Sequence, residues 1–466
     1  MNTRKNIWTI EADANDETLK WYGKAIGEMK ALPIADSRSW RWQAAVHDYR
    51  RSRDPLSDPS DILPAQNLQD KYWSQCQHGS WFFIPWHRMF LSHFENIVRS
   101  FVISLGGPLD WALPYWNYHT DKTTRLLPPS FRNPQLADGS TNHLYVAERN
   151  SMANNGQDFA DKADVALKCL KDDEYVSPPF GLPEFGGGAT GFSHSGRQAG
   201  SLEGVPHGSM HVAVGGFMGS FNTAGLDPIF WCHHCNIDRL WEVWRDRDLT
   251  HLNPVAPAWL RGVQFDFMDA NSAHISMGCE DVEDTKNSIL DYDYDDISDP
   301  VPQTLGITTT KSMPNTPNLI SASNSFVDIP GSAAHTHTSL SIPPASAGGS
   351  FETFGVDSEQ STIQLHIENL TSDSSARGFD LYIGIPDGED PKEHKSKFVA
   401  RIPLFGLPEA SEVDGPHGGS GLSFAFDVTE LMNELGLSKE VPITFHSLDG
   451  NDGASIKVGR ISLYVD

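Results

Sequence analysis

Residues 227–239 read Asp-Pro-Ile-Phe-Trp-Cys-His-His-Cys-Asn-Ile-Asp-Arg, and this stretch is the most informative about the structure of the first part of the chain. Asp227 is a favoured residue for a helix N-cap, and Pro228 suits the first position inside a helix. The apolar residues that follow recur at helical spacing. The stretch therefore predicts a helix that begins beside Asp227 and carries two adjacent histidines.

Only one of these histidines can face the interior at a given point, because neighbouring residues on a helix point about 100° apart. His234 lies on the apolar face, and His233 is predicted to be a packed or hydrogen-bonded neighbour. The apolar residues that share the face of His234 are Phe230, Ile237 and Trp241.

Two further histidine clusters lie upstream. The first contains Cys76-Gln-His78 and, nine residues after His78, His87 near the start of another amphipathic helix. The second contains His207 and His211, which are four residues apart and therefore lie on one face of a helix. Imidazole is a ligand for copper, zinc, iron and nickel, so the clusters indicate a metal site without specifying the metal.

The periodicity changes along the chain. Residues 1–300 show mainly helical spacing and predict the domain that carries the histidine clusters. Residues 301–350 are rich in Ser, Thr, Pro, Gly and Ala and predict a flexible linker, in which His335 and His337 would be exposed. Residues 351–466 alternate apolar and polar residues, which predicts a β-sandwich.

Charge and composition restrict the partners. The formal net charge of −26 opposes binding to nucleic acid and to an anionic membrane surface. No apolar run approaches the roughly 20 residues that span a bilayer, and none follows the basic residues at the N-terminus. We therefore expect a cytoplasmic protein, with export alongside a partner protein as the alternative. Five cysteines in a chain of 466 residues do not make a disulfide framework, which leaves one available for a special role.

Several motifs resemble those of one known family. The run His78–Glu95 resembles the first copper signature of tyrosinases, catechol oxidases and molluscan haemocyanins. The 227–239 run is similar to their second signature, in which the second of two adjacent histidines is the ligand. Tyr292-Asp-Tyr294 resembles the motif that closes the catalytic domain of plant polyphenol oxidases. The C-terminal domain resembles, more loosely, the shielding domain of those plant enzymes.

The resemblance implies a mainly α catalytic domain, an antiparallel four-helix bundle around a type-3 dicopper site, followed by the C-terminal β-sandwich. It also implies two copper ions as cofactors, CuA and CuB, and dioxygen as co-substrate. The family takes its first CuA ligand from a helix upstream of the first signature, and His47 is the only histidine there. The ligands carried over are His47, His78 and His87 for CuA, and His207, His211 and His234 for CuB.

The resemblance implies roles for two residues beside the metals. Cys76 has the spacing at which fungal tyrosinases and molluscan haemocyanins form a thioether to the ligand imidazole, here that of His78. A buried free thiol is the alternative. Asp238, one helical turn after His234, is predicted either to orient the His234 imidazole or to form a salt bridge with Arg239 or a neighbouring helix.

Three residues are expected to control the substrate. Glu203 matches the acidic residue that positions a water in this family, and such a water could take a proton from a phenol. Phe221 matches the gate above CuA. The alternatives for these two are a solvated carboxylate and a core aromatic ring. Gly208 follows His207 where strongly hydroxylating tyrosinases carry asparagine, so it offers no amide to help hold the water.

The predicted reaction is the oxidation of small phenols, converting o-diphenols to o-quinones with reduction of O2 to water. Monophenol hydroxylation is expected to be weak or lagging. The alternatives are a tyrosinase with full monophenolase activity, an o-aminophenol oxidase on the same site and, more distantly, a haemocyanin-like O2 carrier.

The shielding domain suggests latency. The loop 404–407, Leu-Phe-Gly-Leu, is either a plug for the active site or a plain hairpin tip, and proteolysis of the linker would release a plug. The other histidines of the first 300 residues are assigned as surface or core residues: His93, His119, His143, His194, His251 and His274.

Overall fold

Two hydrophobic cores organise the chain. The computed structural model describes residues 1–194, 198–301, 317–342, 361–386, 388–415, 417–435, 440–451 and 453–465. The first core is built from residues 7–294 and also takes in Phe405 from the C-terminal part. The second core is built from residues 320–465. The chain therefore forms a helical domain and a sheet domain, with one ring of the second buried in the first.

The helical core confirms the first part of the predicted fold class, and the antiparallel four-helix bundle stays a prediction. Asp227 caps the last long helix by accepting a hydrogen bond from the N–H of Ile229, and Pro228 occupies its first turn, as predicted. The helices of this domain are α1 (Ile7–Ala12), α2 (Thr18–Ala31), α3 (Trp40–His47), α4 (Gln66–Tyr72), α5 (Phe83–Ser104), α6 (Ser151–Asn154), α7 (Ser209–Val214), α8 (Pro228–Arg247) and α9 (Pro257–Leu260).

Short strand pairs tie the ends of the helical domain together. β1 (Asn2–Arg4) pairs in parallel with β6 (Tyr292–Tyr294), so the Tyr-x-Tyr motif closes the domain against its N-terminus. Between them, β2 (Val176–Ser177) pairs with β3 (Gly187–Gly188), and β4 (Phe265–Met268) pairs with β5 (His274–Met277).

The sheet domain contains two antiparallel sheets whose inner faces share the second core, which is the arrangement of a sandwich. One sheet has the order β13-β10-β15-β7, with β8 also paired to β15, and the other has the order β12-β11-β14-β9. Its elements are β7 (Asn318–Ala322), β8 (Val327–Pro330), β9 (His335–Ser341), β10 (Ile363–Thr371), β11 (Gly378–Ile383), β12 (Phe398–Pro403), α10 (Leu407–Ser411), β13 (Leu422–Asp427), α11 (Thr429–Leu435), β14 (Glu440–Ser447) and β15 (Ser455–Val465).

The predicted linker 301–350 is wrong over residues 317–342. These residues form β7, β8 and β9, which pair with β15 and β14, so His335 and His337 lie on a strand. The composition misleads because β9 lies at the edge of its sheet, and Leu340 is the one residue of β9 that is fully buried. The other parts of the predicted linker, 302–316 and 343–350, lie outside the described residues.

Ion pairs fasten the sheet domain to the helical domain. Arg401 of β12 binds Asp380 of β11 and also reaches Asp161 and Asp164 of the helical domain, at 2.6 and 2.9 Å. Arg377 contacts Asp164 as well, at 3.0 Å. Across the described residues, no helix combines the length and the apolar character needed to cross a membrane.

Candidate metal centre

Six histidines meet in the core of the helical domain. His47 is the last residue of α3, His78 lies in the segment before α5, and His87 lies near the start of α5. Each of the six side chains is at most 3% exposed. The other three are His207 in the turn before α7, His211 in α7 and His234 in α8.

The histidines form two groups, and each group surrounds one point. The group A rings of His47, His78 and His87 have centroids 5.3, 5.4 and 5.7 Å apart. The group B rings of His207, His211 and His234 have centroids 4.6, 4.9 and 5.4 Å apart. An imidazole nitrogen lies about 2 Å from a bound metal, so three rings at these separations fit around one ion. The groups adjoin where His87 stacks on His234, with centroids 4.4 Å apart.

Backbone carbonyls hold four of the six rings. The Nδ1–H of His47 donates to the carbonyl of Phe221 at 2.9 Å, and that of His87 donates to Phe83 at 2.8 Å. Those of His207 and His211 donate to Glu203 and Met218. Because a neutral imidazole carries one proton, each of these rings keeps a lone pair on Nε2.

The orphaned nitrogens fit a metal pair. The Nε2 atoms of His47, His87 and His207 are buried and have no partner among the described residues. The Nε2 atoms of His211 and His234 face each other at 3.2 Å, as nitrogens that converge on one cation do. Buried polar atoms normally have partners, so this concentration of unpaired nitrogens indicates a cation-binding site.

Burial keeps these histidines neutral, which is the form that binds a metal. It lowers the pKa of His47 to about 4 and that of His207 to about 3. Burial and the neighbouring imidazoles hold the pKa of His78, His87 and His234 well below the ordinary value. Burial acts in the same direction on the pKa of His211.

The comparisons with known proteins agree with this geometry. The family model described as the common central domain of tyrosinase matches residues 37–247, a range that contains both groups. Tyrosinase HcTyr1 of Hahella sp. (strain CCB-MM4) is 34% identical over 485 residues, which covers 100% of this chain and 99% of that protein. The chain belongs to the tyrosinase family. It is therefore a type-3 copper oxidase, and groups A and B are the residues predicted to bind CuA and CuB.

Other proteins match this chain across both of its domains. Polyphenol oxidase E of Solanum lycopersicum is 28% identical over 456 residues, which covers 89% of this chain and 73% of that protein. The structure of latent apple tyrosinase matches with a TM-score of 0.61 and 22% identity, covering 100% and 97% of the two chains. Latent aurone synthase matches with a TM-score of 0.64 and 20% identity, covering 100% and 89%. A model described as a domain of unknown function, DUF7868, matches residues 316–466.

Cys76 lies beside the rings of His47 and His78. Its sulfur lies within 4.8 Å of a ring nitrogen of His47 and of His78. Neither nitrogen of His78 has a hydrogen-bond partner within the described parts of the chain, so no backbone group fixes this ring. Burial raises the pKa of the Cys76 thiol, which therefore stays protonated. The thioether remains a prediction.

The predicted role of Asp238 in orienting His234 is wrong. Asp238 instead forms a salt bridge with a neighbouring helix, as the alternative predicted. Its carboxylate contacts Arg88 of α5 and accepts a hydrogen bond from Arg4 at 3.1 Å. The hydroxyl groups of Tyr292 and Tyr294 also donate to it. Two buried guanidinium groups need a buried carboxylate nearby, and Asp238 supplies it.

The three substrate-control residues lie around the two groups. The Phe221 ring stacks on His78, with centroids 4.2 Å apart and an interplanar angle of 10°. Both carboxylate oxygens of Glu203 accept a hydrogen bond from the N–H of Gly79, at 2.8 and 2.9 Å. Burial raises the pKa of Glu203 to about 8. A Cβ added at Gly208 would lie 3.3 Å from the Glu203 carbonyl oxygen and 3.4 Å from Pro403 of the sheet domain.

Phe405 covers the centre, a position that the sequence raised only as one of two alternatives for loop 404–407. Its ring stacks on His211, with centroids 3.8 Å apart and an angle of 13°. It also meets the edges of His207, His78 and Phe221, at centroid distances of 5.6, 6.1 and 4.7 Å. Loop 404–407 is therefore inserted into the helical domain over both groups.

Two other histidines lie beside the centre. His233 is packed and hydrogen-bonded, as predicted, whereas His417 was missed from the sequence. His233 is fully buried, and a ring nitrogen of it lies within 4.8 Å of those of group B. His417 of the sheet domain reaches Asp48, the residue after His47, with Nε2 3.3 Å from the carboxylate. Its local sequence, Pro-His-Gly-Gly, carries no signal for this contact, because the contact exists only once the domains dock.

The histidines assigned to packing lie outside both groups. The Nδ1–H of His194 donates to the carbonyl of Cys76 at 3.2 Å. His119 donates to the carbonyl of Val165, and His251 donates to that of Trp244. These contacts are those of structural residues.

Proposed function

We propose that this enzyme oxidises o-diphenols to o-quinones and hydroxylates monophenols weakly. Two catechols together release four electrons and four protons. One O2 takes up all of them to form two waters. Copper ions held by group A and group B would bind dioxygen and carry these electrons. The residues of this chain hold the ions, exclude water and position the substrate.

The observation that carries the proposal is the ring of Phe221 lying flat against His78. A planar substrate that enters on the CuA side has to pass this aromatic ring. Gly208 supports the proposal because it adds no side-chain amide beside the Glu203 backbone. A water near Glu203 then has fewer groups to hold it for deprotonating a monophenol, whereas a catechol needs less help because it binds with two adjacent oxygens.

A tyrosinase with full monophenolase activity is the second candidate, and it is favoured by the name of the 34% identical relative. Oxygen uptake separates the two candidates when 4-methylcatechol and 4-methylphenol are compared at equal concentration. We expect uptake on the catechol to be at least about tenfold faster, with a lag on the phenol. Equal rates without a lag would establish the second candidate, and faster uptake on 2-amino-4-methylphenol would establish an o-aminophenol oxidase instead.

We further propose that the enzyme is latent and that proteolysis activates it. The support is Phe405, which is 6% exposed and occupies the space above both groups that a small phenolic substrate would need. Limited proteolysis, followed by mass determination and oxygen uptake on 4-methylcatechol, tests this proposal. Activity should rise when the sheet domain is removed, and unchanged activity after complete cleavage would contradict latency.

A further inference from the structure

His233 stands out because it is as deeply buried as the predicted ligands but belongs to neither ligand set. Its ring centroid lies 4.9 Å from that of His211 and 5.5 Å from that of His207. One of its nitrogens lies within 4.8 Å of a nitrogen of each group B ring. Its Nε2 is buried and has no partner among the residues that the structure describes.

Tyr118 determines which nitrogen of His233 carries the proton. The Tyr118 hydroxyl oxygen lies 3.0 Å from Nδ1 of His233, and the Tyr118 side chain is fully buried. If Nδ1–H donated to the hydroxyl, both the tyrosine proton and the Nε2 lone pair would lack partners. If the hydroxyl donates to Nδ1, a single group, Nε2–H, is left without a partner. Since each unpaired buried group costs about 1–3 kcal/mol, the second arrangement is favoured.

The favoured tautomer has a consequence for the metal site. A protonated Nε2 has no lone pair in the ring plane and cannot bind copper. It is a hydrogen-bond donor in a pocket where the Nε2 atoms of His207 and His211 carry lone pairs. A small anion bound at CuB would be the acceptor that this donor lacks.

We infer that His233 donates an Nε2–H hydrogen bond to a small anion bound at CuB and that Tyr118 selects the tautomer that makes this possible. The anion is of the class that binds oxidised copper through an oxygen or nitrogen atom, such as hydroxide, a deprotonated phenol oxygen or azide. The inference rests on the proposed copper oxidase, whose CuB ligands are group B. His233 is thus a binding residue for the copper-bound anion and not a fourth ligand.

Azide is the probe that tests the inference on the full chain loaded with oxidised copper. Metal analysis gives the copper content, and a visible-absorption titration gives the dissociation constant for azide. The variants are His233→Leu, which removes the donor, His233→Gln, which offers an amide N–H in its place, and Tyr118→Phe. Tyr115→Phe is the matched control, because the Tyr115 hydroxyl donates to Asp295 at 2.7 Å and not to a histidine.

We expect His233→Leu to keep two copper ions and to raise the azide dissociation constant about tenfold, which corresponds to about 1.4 kcal/mol. His233→Gln should recover part of this loss, and Tyr118→Phe should raise the constant by about threefold, because the tautomer is then no longer fixed. Tyr115→Phe should leave it unchanged. A purely structural role would not produce the recovery by glutamine.

Two results would overturn the inference. Wild-type azide affinity in His233→Leu would exclude the donor role, and loss of one copper ion would make His233 a ligand. If His233→Leu does not fold, azide affinity in Tyr118→Phe equal to that of Tyr115→Phe overturns it. The substrate comparison on wild-type enzyme is independent of these titrations, so a failed o-diphenol preference is distinguishable from a failed donor. A wild-type chain that binds no copper would overturn both together.

Discussion

The floor and the cover of the metal centre are held in place by different means. The floor consists of group A and group B, and four of their six rings donate to backbone carbonyls inside the helical domain. The cover consists of loop 404–407 and arrives from the other domain. Its Phe405 ring lies on His211 and also contacts His207, His78 and Phe221. The floor is therefore part of the folded core, whereas the cover is a docked element.

Ion pairs lie both beneath the floor and around the cover. Beneath the floor, Asp238 is buried between Arg4 and Arg88, all at most 2% exposed. Around the cover, Arg50 pairs with Glu412, whose side chain is 41% exposed. Arg401 and Arg377, by contrast, meet the fully buried Asp164, and His417 meets the fully buried Asp48. Exposed ion pairs contribute little, typically up to about 1 kcal/mol. The cover is therefore held by buried as well as exposed pairs, and its removal from the floor requires the two domains to separate.

The largest effect is expected from the floor itself. His207→Ala removes a CuB ligand, so copper content should fall from two ions toward one per chain. Oxygen uptake on 4-methylcatechol should fall at least about a thousandfold, because the reaction needs both ions. His274→Ala is the control, because His274 lies on β5 with its side chain 45% exposed. Retention of two ions by His207→Ala would remove His207 from the ligand set.

The second prediction concerns the charges beneath the floor. Asp238→Asn removes the carboxylate that Arg4 and Arg88 share, although Arg4 keeps Glu95 and Arg88 keeps Glu242. The loss of these charge-assisted hydrogen bonds should lower the free energy of unfolding by about 2 kcal/mol. The copper content of the folded protein should remain two, since Asp238 touches no ligand. Urea denaturation and metal analysis check both, with Asp266→Asn as the surface control, 30% exposed. Copper loss from the folded variant would revive the orienting role.

The same carboxylate gives a pH dependence with a definite sign. Burial raises the pKa of Asp238, but Arg88 and Arg4 outweigh it and hold the pKa below its ordinary value of 3.8. Its contribution to stability is therefore complete above that pH and is lost as the pH falls through the lower folded-state value. Asp238→Asn should destabilise the protein at pH 7 and progressively less in acid.

The third prediction separates the cover from the floor. Phe405→Ala removes the ring above His211 and should raise oxygen uptake by the full chain on 4-tert-butylcatechol about tenfold. A stacked aromatic pair stabilises a docked element by about 0.5–1.5 kcal/mol, and the upper end of that range corresponds to this factor. Copper content should not change. Phe326→Ala, 65% exposed in the sheet domain, is the control. Activity that stays at the wild-type level would show that loop 404–407 does not limit access.

The smallest effect is expected where floor and cover touch. Gly208→Asn adds an amide beside Glu203, and the ratio of monophenol to diphenol oxidation should rise about threefold when measured in a Phe405→Ala background. In the otherwise intact chain a Cβ at residue 208 lies 3.4 Å from Pro403, an ordinary van der Waals contact, so total activity should change little. Gly204→Asn is the control, since a Cβ there meets nothing within 4 Å. An unchanged ratio would remove residue 208 from substrate control.

Local spacing in the sequence indicated the histidine clusters that contain most of the six predicted ligands. His207 and His211 are four residues apart, and His234 follows a helix cap at Asp227, so their placement follows from helix geometry. His47 needed the family resemblance, because nothing beside it indicates a metal. The strands at 318–341 were missed because an edge strand rich in serine and threonine resembles a linker.

The sequence by itself determined the two-domain order, the helix and strand periods and the histidines available for copper, since these depend on neighbours a few residues apart. Three contacts could be seen only in the folded chain: the salt bridges of Asp238 with Arg4 and Arg88, the hydrogen bond of Tyr118 with His233, and the stacking of Phe405 on His211. Each of these pairs joins residues more than a hundred positions apart. Because these contacts are buried, water cannot replace a partner that a mutation removes, and the loss therefore costs free energy.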